Sequence, residues 1–308
     1  MEASVTTGMT PSQALRSAWR DQRTWSRTAD ALKRDIFRWR TAVLALVVGG
    51  AVLTTAGTVL GAEAGRAVAY VGAAALALAP VIRGAKLTRE RFRDWVRARS
   101  ASETLKAEAY TYLTRTGPYA HADAEDQLRH RCKEVQDKVQ DLGTYSAARA
   151  PTEAVEPPAA VLTIDDYIRR RVDDQIEGYY EPKARGMAQR LSWFRRAEFA
   201  LSMLAALLGV VAAQSGTGGV AIWAPVVTTI IAAIAAHVEA GRFEYQAISY
   251  LGTAKRLRQL RDSWLDRTSR GPATTDQAST FVRQCEDAIS SENQSWMAEF
   301  LQVDKPKS

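Results

Sequence analysis

The chain is poor in the residues and patterns that catalysis needs. It has three histidines, His121, His130 and His237, scattered without metal-ligand spacing. It has no nucleophile elbow, no phosphate-binding Walker loop and no GxGxxG following a strand. The sequence therefore predicts no catalytic residue, no metal and no cofactor, and a protein that is not an enzyme. Cysteine is nearly absent: Cys132 and Cys285 have no CxxC spacing and no histidine cluster beside them, and read as reduced intracellular thiols. The N-terminal MEASVTTGMTPSQ lacks the basic and apolar regions of a signal peptide, so the first apolar run is expected to serve as the insertion signal. Asp165-Asp166 and Asp173-Asp174 are paired acids, but they lie on a helix rich in arginine and read as surface ion pairs.

Charge is missing from two regions. Thr41 to Ala62 and Ala67 to Ile82 carry none, with Glu63-Ala64-Gly65-Arg66 between them. Phe199 to Val238 has no Asp, Glu, Lys or Arg, and Gln214–Gly219 divides it. A helix rises about 1.5 Å per residue, so about 20 residues cross the ~30 Å hydrocarbon core. The alternative is a buried hairpin of a soluble bundle, but bundle helices keep a charged face and these keep none. Four spans follow, about 41–62, 67–82, 197–213 and 219–238. Elsewhere the chain is polar: mean hydropathy is −0.22 and net charge +7. The excess Arg and Lys (Lys33, Arg34, Arg38, Arg40; Arg83, Lys86, Arg89; Arg190, Arg195, Arg196) brackets the spans. Basic residues so placed are a topology signal rather than a nucleic-acid signal, and they put both termini in the cytoplasm of a bacterial membrane.

The remaining segments fall into order. Residues 1–10 read as a disordered tail, and Pro11 or Ser12 starts a helix. On it Leu15, Trp19, Trp25, Ala29 and Leu32 recur at helical spacing, which fits packing on a partner helix or, alternatively, a membrane surface. Nothing in the sequence breaks the helix after the second span before Thr116-Gly117-Pro118, and the one after the fourth span is expected to run on to about Arg267. A helix over about 122–142 precedes an Ala/Pro-rich linker, 143–162. Thr163 or Asp165 then restarts a helix with Ile168, Val172, Gln175, Ile176 and Tyr179 on one face, and Pro182 bends or restarts it.

The halves repeat. Ala42–Leu46 meets Ala197–Leu201 and Trp95 meets Tyr250 at an offset of 155; Thr114–Pro118 meets Thr268–Pro272, and Leu128–Cys132 meets Phe281–Cys285. The fold class expected is an all-α membrane protein with two tandem two-span hairpin repeats, 11–142 and 163–303, each with long cytoplasmic helical extensions.

These features resemble the SLATT domains, the SMODS- and SLOG-associating two-transmembrane effector domains of bacteria. Ala18-Trp19, Gln22, Trp25-Ser26, Ala29, Leu32-Lys33 and Arg40-Thr41-Ala42 resemble the third type. Asp166-Tyr167, Arg171-Val172, Gln175, Tyr179-Tyr180 and Lys183-Ala184 resemble the first type. The resemblance implies a pore-forming effector of bacterial defence systems, acting after a separate sensor protein or a nucleotide signal.

Candidate site residues follow from chemistry in the spans. Thr54, Thr55 and Thr58 in the first, and Thr228 and Thr229 in the fourth, offer hydroxyls to a pore wall, or else bond back to their own i−4 carbonyls. His237 and Glu239 stand at the cytoplasmic mouth, where a ring of Glu239 would favour cations; the alternative is an interfacial charge. Glu198 has Arg195 and Arg196 nearby as partners. Gly49, Leu53, Gly57 and Gly61, then Ala69, Ala73 and Ala77, then Ala232, Ala236 and Ala240, form small-residue ridges that predict close packing. The expected partners are the lipid bilayer, further copies of the chain in a dimer or larger homo-oligomer, and a permeating ion or small solute, without nucleic acid. The function expected is a membrane pore or ion channel; the alternative is a non-conducting scaffold or sensor whose cytoplasmic bundle binds a partner.

Overall fold

The structure, a computed structural model, describes residues 11–60, 62–151, 156–158, 161–215 and 218–302. The expected tail at 1–10, Gly61, Gly216-Thr217 and parts of the linker lie outside the described residues. Those residues hold helices and no strand. In order, α1 spans Gln13–Val59, α2 Ala62–Lys86, α3 Arg89–Leu113, α4 Ala124–Lys138 and α5 Gly143–Ala147. Next, α6 (Ile164–Tyr167) widens into a π-helix at Ile168–Tyr180 and continues as α7, Glu181–Ser215. Then come α8 Gly218–Ala221, α9 Trp223–Gly241, α10 Phe243–Ser269 and α11 Thr275–Gln302.

The helices divide between two compact units. A membrane unit comprises Arg34–Arg91 and Lys183–Ile248; a polar unit holds the chain up to Lys33, Phe92–Pro182, and from Ser249 onward. Among the described residues, four helices are long and apolar enough to cross a membrane, and the charge-free runs lie in them, the first as far as Val59. A helix satisfies its own backbone groups, so it is the form that such runs take in hydrocarbon. The chain is an all-α membrane protein with four spans.

In the polar unit, Leu15, Ala18, Trp19, Trp25, Ala29 and Leu32 of α1 are buried. Trp25 Nε1 donates to Gln136 Oε1 of α4 at 3.2 Å, and Trp19 meets Tyr110 of α3 edge-on at 6.0 Å. The tryptophans therefore pack on partner helices. Trp264 of α10 stacks on Phe281 of α11 at 4.8 Å. Ser12 caps α1, its Oγ accepting the Leu15 N–H at 3.2 Å, and Thr163 caps α6 through the Asp166 N–H at 3.1 Å. The end of the linker is tied down where the Leu162 N–H reaches the Leu113 carbonyl at 2.8 Å.

Three local readings are corrected. Glu63–Arg66 is not the loop between the first two spans: it forms the start of α2, where Glu63 suits the positive end of the helix dipole. The helix after the second span is interrupted at Leu87–Thr88, and Thr88 Oγ1 accepts the Arg91 N–H at 3.4 Å to begin α3. The helix after the fourth span is interrupted at Arg242, which is left-handed at φ 46°. Its N–H closes on the Val238 and Glu239 carbonyls, and the buried Gln246 side chain donates to the Gly241 carbonyl at 2.7 Å. A Cβ at Gly241 would lie 2.5 Å from the Phe243 ring, so the turn needs glycine there. The two breaks are 155 residues apart, matching the sequence repeat. Pro182 sits where the π-helix gives way to α7, a position that tolerates a missing N–H.

Candidate functional site

Within the membrane unit, the first hairpin closes on glycine. A Cβ at Gly72 of α2 would stand 2.5 Å from the Thr54 backbone nitrogen and 2.8 Å from the Gly50 carbonyl of α1. A Cβ at Gly57 would stand 2.6 Å from the Gly65 carbonyl and 2.7 Å from the Ala69 Cβ, and Gly65 meets the Gly57 carbonyl in return. The stripe is Gly50 and Gly57 against Gly65 and Gly72, seven residues apart on each helix. Seven residues is two turns, which keeps a contact on one seam. The expected ridges are corrected accordingly: Gly57 and Ala69 belong to the seam, Gly49 meets nothing within 4 Å, Ala73 and Ala77 face outward, and Gly61 is outside the described residues.

Among the described residues the second hairpin has no such seam. Gly209 and Gly219 meet nothing within 4 Å, and Ala232, Ala236 and Ala240 face outward rather than into the chain. Val226, Val227 and Ile234 are the buried side of α9, and Thr228 and Thr229 lie on its exposed side.

The threonine hydroxyls donate to their own helices. Thr54 bonds the Gly50 carbonyl at 2.7 Å, Thr58 the Thr55 carbonyl at 2.7 Å, Thr228 the Ala224 carbonyl at 3.0 Å and Thr229 the Pro225 carbonyl at 2.8 Å. A hydroxyl oxygen keeps acceptor capacity after its proton is used. Thr54 is enclosed by the glycine seam, Thr55 is half-buried, and Thr58 is exposed near the end of α1.

His237 and Glu239 are separated by their surroundings. The His237 ring lies between Phe194 at 5.5 Å and Phe243 at 6.4 Å, and its carbonyl accepts from Arg40 Nη2 at 3.0 Å. Glu239 is exposed. Glu198 makes its contact through its backbone, accepting the Ser202 hydroxyl at 2.8 Å, while Arg195 pairs with Glu244 at 2.9 Å. An aromatic and basic collar lies at this end of the unit: Arg40 and Arg190 over the Phe37 ring at 5.9 and 5.4 Å, and Lys86 over Trp39 at 5.5 Å.

The polar unit holds a second constellation that the sequence pattern missed. Arg171, on the π-helix, is fully buried. Its Nε and Nη2 form a fork on Glu286 of α11, at 3.0 and 2.7 Å, and Tyr167 Oη donates to Glu286 at 2.8 Å. Burial disfavours the Arg171 charge, but Glu286 outweighs it and raises the guanidinium pKa. With its amide oriented to suit its neighbours, Gln175 accepts from Lys106 Nζ and Arg171 Nη1, both at 3.2 Å. Burial and the Arg171 charge lower the Lys106 pKa. Nearby in the same unit, Arg99 donates to the buried Glu292 at 3.1 Å. The signal in the sequence was the i, i+4, i+8 row Tyr167, Arg171, Gln175, a polar stripe beside an apolar face. Of the paired acids, Asp166 pairs with Arg169 at 2.6 Å and the half-buried Asp173 with Arg261 of α10 at 2.8 Å. Cys132 and Cys285 are free and buried, and burial pushes the Cys132 thiol up to about 12.

Fold and spans together define a multi-pass helical membrane protein. Residues 167–296 match the family SMODS and SLOG-associating 2TM effector domain 1, and residues 21–127 match a family of proteins of unknown function, DUF4231. Over residues 167–296 the chain is therefore similar to a two-transmembrane effector domain. No curated protein and no solved structure matches the chain.

Proposed function

We propose that the protein is an oligomeric membrane pore or ion channel, an effector in a bacterial defence or signalling system, and not an enzyme. The observation that carries this reading is the outward face of α9, where Thr228 and Thr229 lie exposed beside a stripe of alanines. The first hairpin is closed backbone to backbone, so a wet path would run between copies rather than through one hairpin. A homo-oligomer, a dimer or larger, would bring α9 helices together by their small residues and align acceptor oxygens on a shared axis. Glu239 would add a negative ring at one mouth and favour cations. The chain would sit in the cytoplasmic membrane with both termini inside, its halves a type-three domain followed by a type-one domain. A separate sensor protein or a nucleotide signal would open it.

Ion flux from proteoliposomes holding the purified protein tests this. Voltage-dependent or ligand-dependent flux is expected, and Glu239→Gln should reduce cation preference, read as a shifted reversal potential. No flux under any voltage or ligand, with correctly oriented oligomers, contradicts the channel. A second reading is favoured by one observation: the donor protons of Thr54, Thr58, Thr228 and Thr229 are used within their own helices. On that reading the protein is a non-conducting scaffold or sensor, and its polar unit binds a partner.

A further inference from the structure

Among the described residues, three arginines of the membrane unit, Arg40, Arg83 and Arg190, form no ion pair with an acid. Arg40, the last residue before the first charge-free run, is half-buried and donates to the His237 carbonyl at 3.0 Å. That bond uses one of its five N–H groups. Arg190 of α7 lies over the same Phe37 ring as Arg40, at 5.4 and 5.9 Å. Arg83 shares the last turn of α2 with Lys86, which stands 5.5 Å over the Trp39 ring beside Arg40. Of the acids flanking the spans, Asp35 is committed to Arg91 at 2.5 Å and Glu244 to Arg195 at 2.9 Å, and among the described residues neither Glu198 nor Glu239 forms an ion pair with these arginines. Gathering like charges at the edge of a low-dielectric region is costly unless an anion joins them. Guanidinium forks suit phosphate oxygens, and these residues border the hydrocarbon, where lipid phosphates lie.

We propose that Arg40 and Arg190, which share the Phe37 ring, form with Arg83 at the end of α2 a binding site for a phosphate-bearing anion, supplied by an anionic phospholipid headgroup or by free phosphate. The anion links α1, α2 and α7 across the two hairpins, so its occupancy stabilises the packing of one hairpin against the other. Lys86, held over Trp39, stands at the same edge and adds positive potential.

The test uses the full-length protein in a neutral detergent, with melting followed during titration by phosphatidylglycerol, phosphatidylcholine or inorganic phosphate. Phosphatidylglycerol should raise the melting temperature at a lower concentration than phosphatidylcholine. Each arginine removed should move that midpoint about fivefold: Arg190→Gln alone by that much, and Arg40→Gln with Arg83→Gln by more. Arg38→Gln, an exposed basic residue on α1 outside the group, should leave it unchanged. Stabilisation by inorganic phosphate that the same variants abolish, with the two lipids equal, assigns the site to the free anion. If the double variant fails to fold, the exposed Arg190→Gln still decides. Equal midpoints for both lipids with no phosphate effect, or an Arg38→Gln loss as large as that of Arg190→Gln, overturns the proposal.

Discussion

The polar unit and the membrane unit are held together by opposite means. The first encloses charge: Arg171, Glu286, Tyr167, Gln175 and Lys106 sit among tyrosines and fix one another by direction. The second encloses almost nothing: its first hairpin closes because Gly50, Gly57, Gly65 and Gly72 have no side chain to hold the backbones apart. Water makes the difference intelligible. In an aqueous domain the hydrophobic effect supplies attraction, and a polar network adds uniqueness of packing. In lipid the tails are as apolar as leucine, so close contact itself must supply the attraction. Within the membrane unit the contrast repeats on a smaller scale: the first hairpin satisfies its own seam, and the second leaves its small residues on the outside.

Substitutions should separate these two modes of cohesion. The largest effect is expected in the polar unit: Glu286→Ala strips the buried Arg171 of its carboxylate fork, leaving Glu103 at 3.9 Å as its nearest acid, and should cost about 3 kcal/mol in denaturant unfolding. Replacing both partners, Arg171→Met with Glu286→Leu, should restore most of that loss; a double variant as weak as the single would deny the pair its role. Next comes Gly72→Val, whose new methyls meet α1 backbone and should cost about 1–3 kcal/mol. The matched Gly209→Val, in open space, should change stability by less than about 0.5 kcal/mol. Equal losses at the two glycines would erase the distinction between the hairpins.

The smallest effect is a pH dependence. Burial raises the Glu292 carboxyl pKa, with Arg99 offsetting part of the rise. The folded state therefore holds that proton more tightly than the unfolded state does. Its stabilising contribution is fully present below the ordinary carboxyl range and is lost as pH rises through the raised value. Wild type should gain stability relative to Glu292→Gln as pH falls through that window, the two converging once the carboxyl is protonated. A difference independent of pH would mean that Glu292 titrates normally.

Much of this was legible in the sequence, and the gaps have physical causes. Charge-free runs announce spans because no other solvent tolerates them, and Trp19 and Trp25 mark a packed face because indoles on a polar helix need cover. The glycine seam was only half legible. A run apolar on every side gives no phase, so Gly49 and Gly50 cannot be told apart until α2 is seen against one of them. The interruptions at Leu87–Thr88 and Gly241–Arg242 carry weak local signals, a lone threonine and a lone glycine; the first is fixed by the Thr88 cap on Arg91, the second by the Phe243 ring and the Gln246 side chain. Arg171 was hidden by its neighbours: among Arg169, Arg170 and the paired acids it looks like one more solvated charge. Only the position of Glu286, more than a hundred residues on, shows that it points inward.

Whether a path runs between copies is most directly read by placing a thiol on the α9 face. Thr229→Cys and, as a reference, Leu207→Cys on exposed α7 would be treated with a membrane-impermeant, water-soluble thiol reagent while proteoliposome flux is recorded. Cys132 and Cys285 are buried, so native thiols give little background. Block of flux at Thr229→Cys with none at Leu207→Cys is the expected result; flux that persists with position 229 unreactive would contradict a pore lined by the second hairpin.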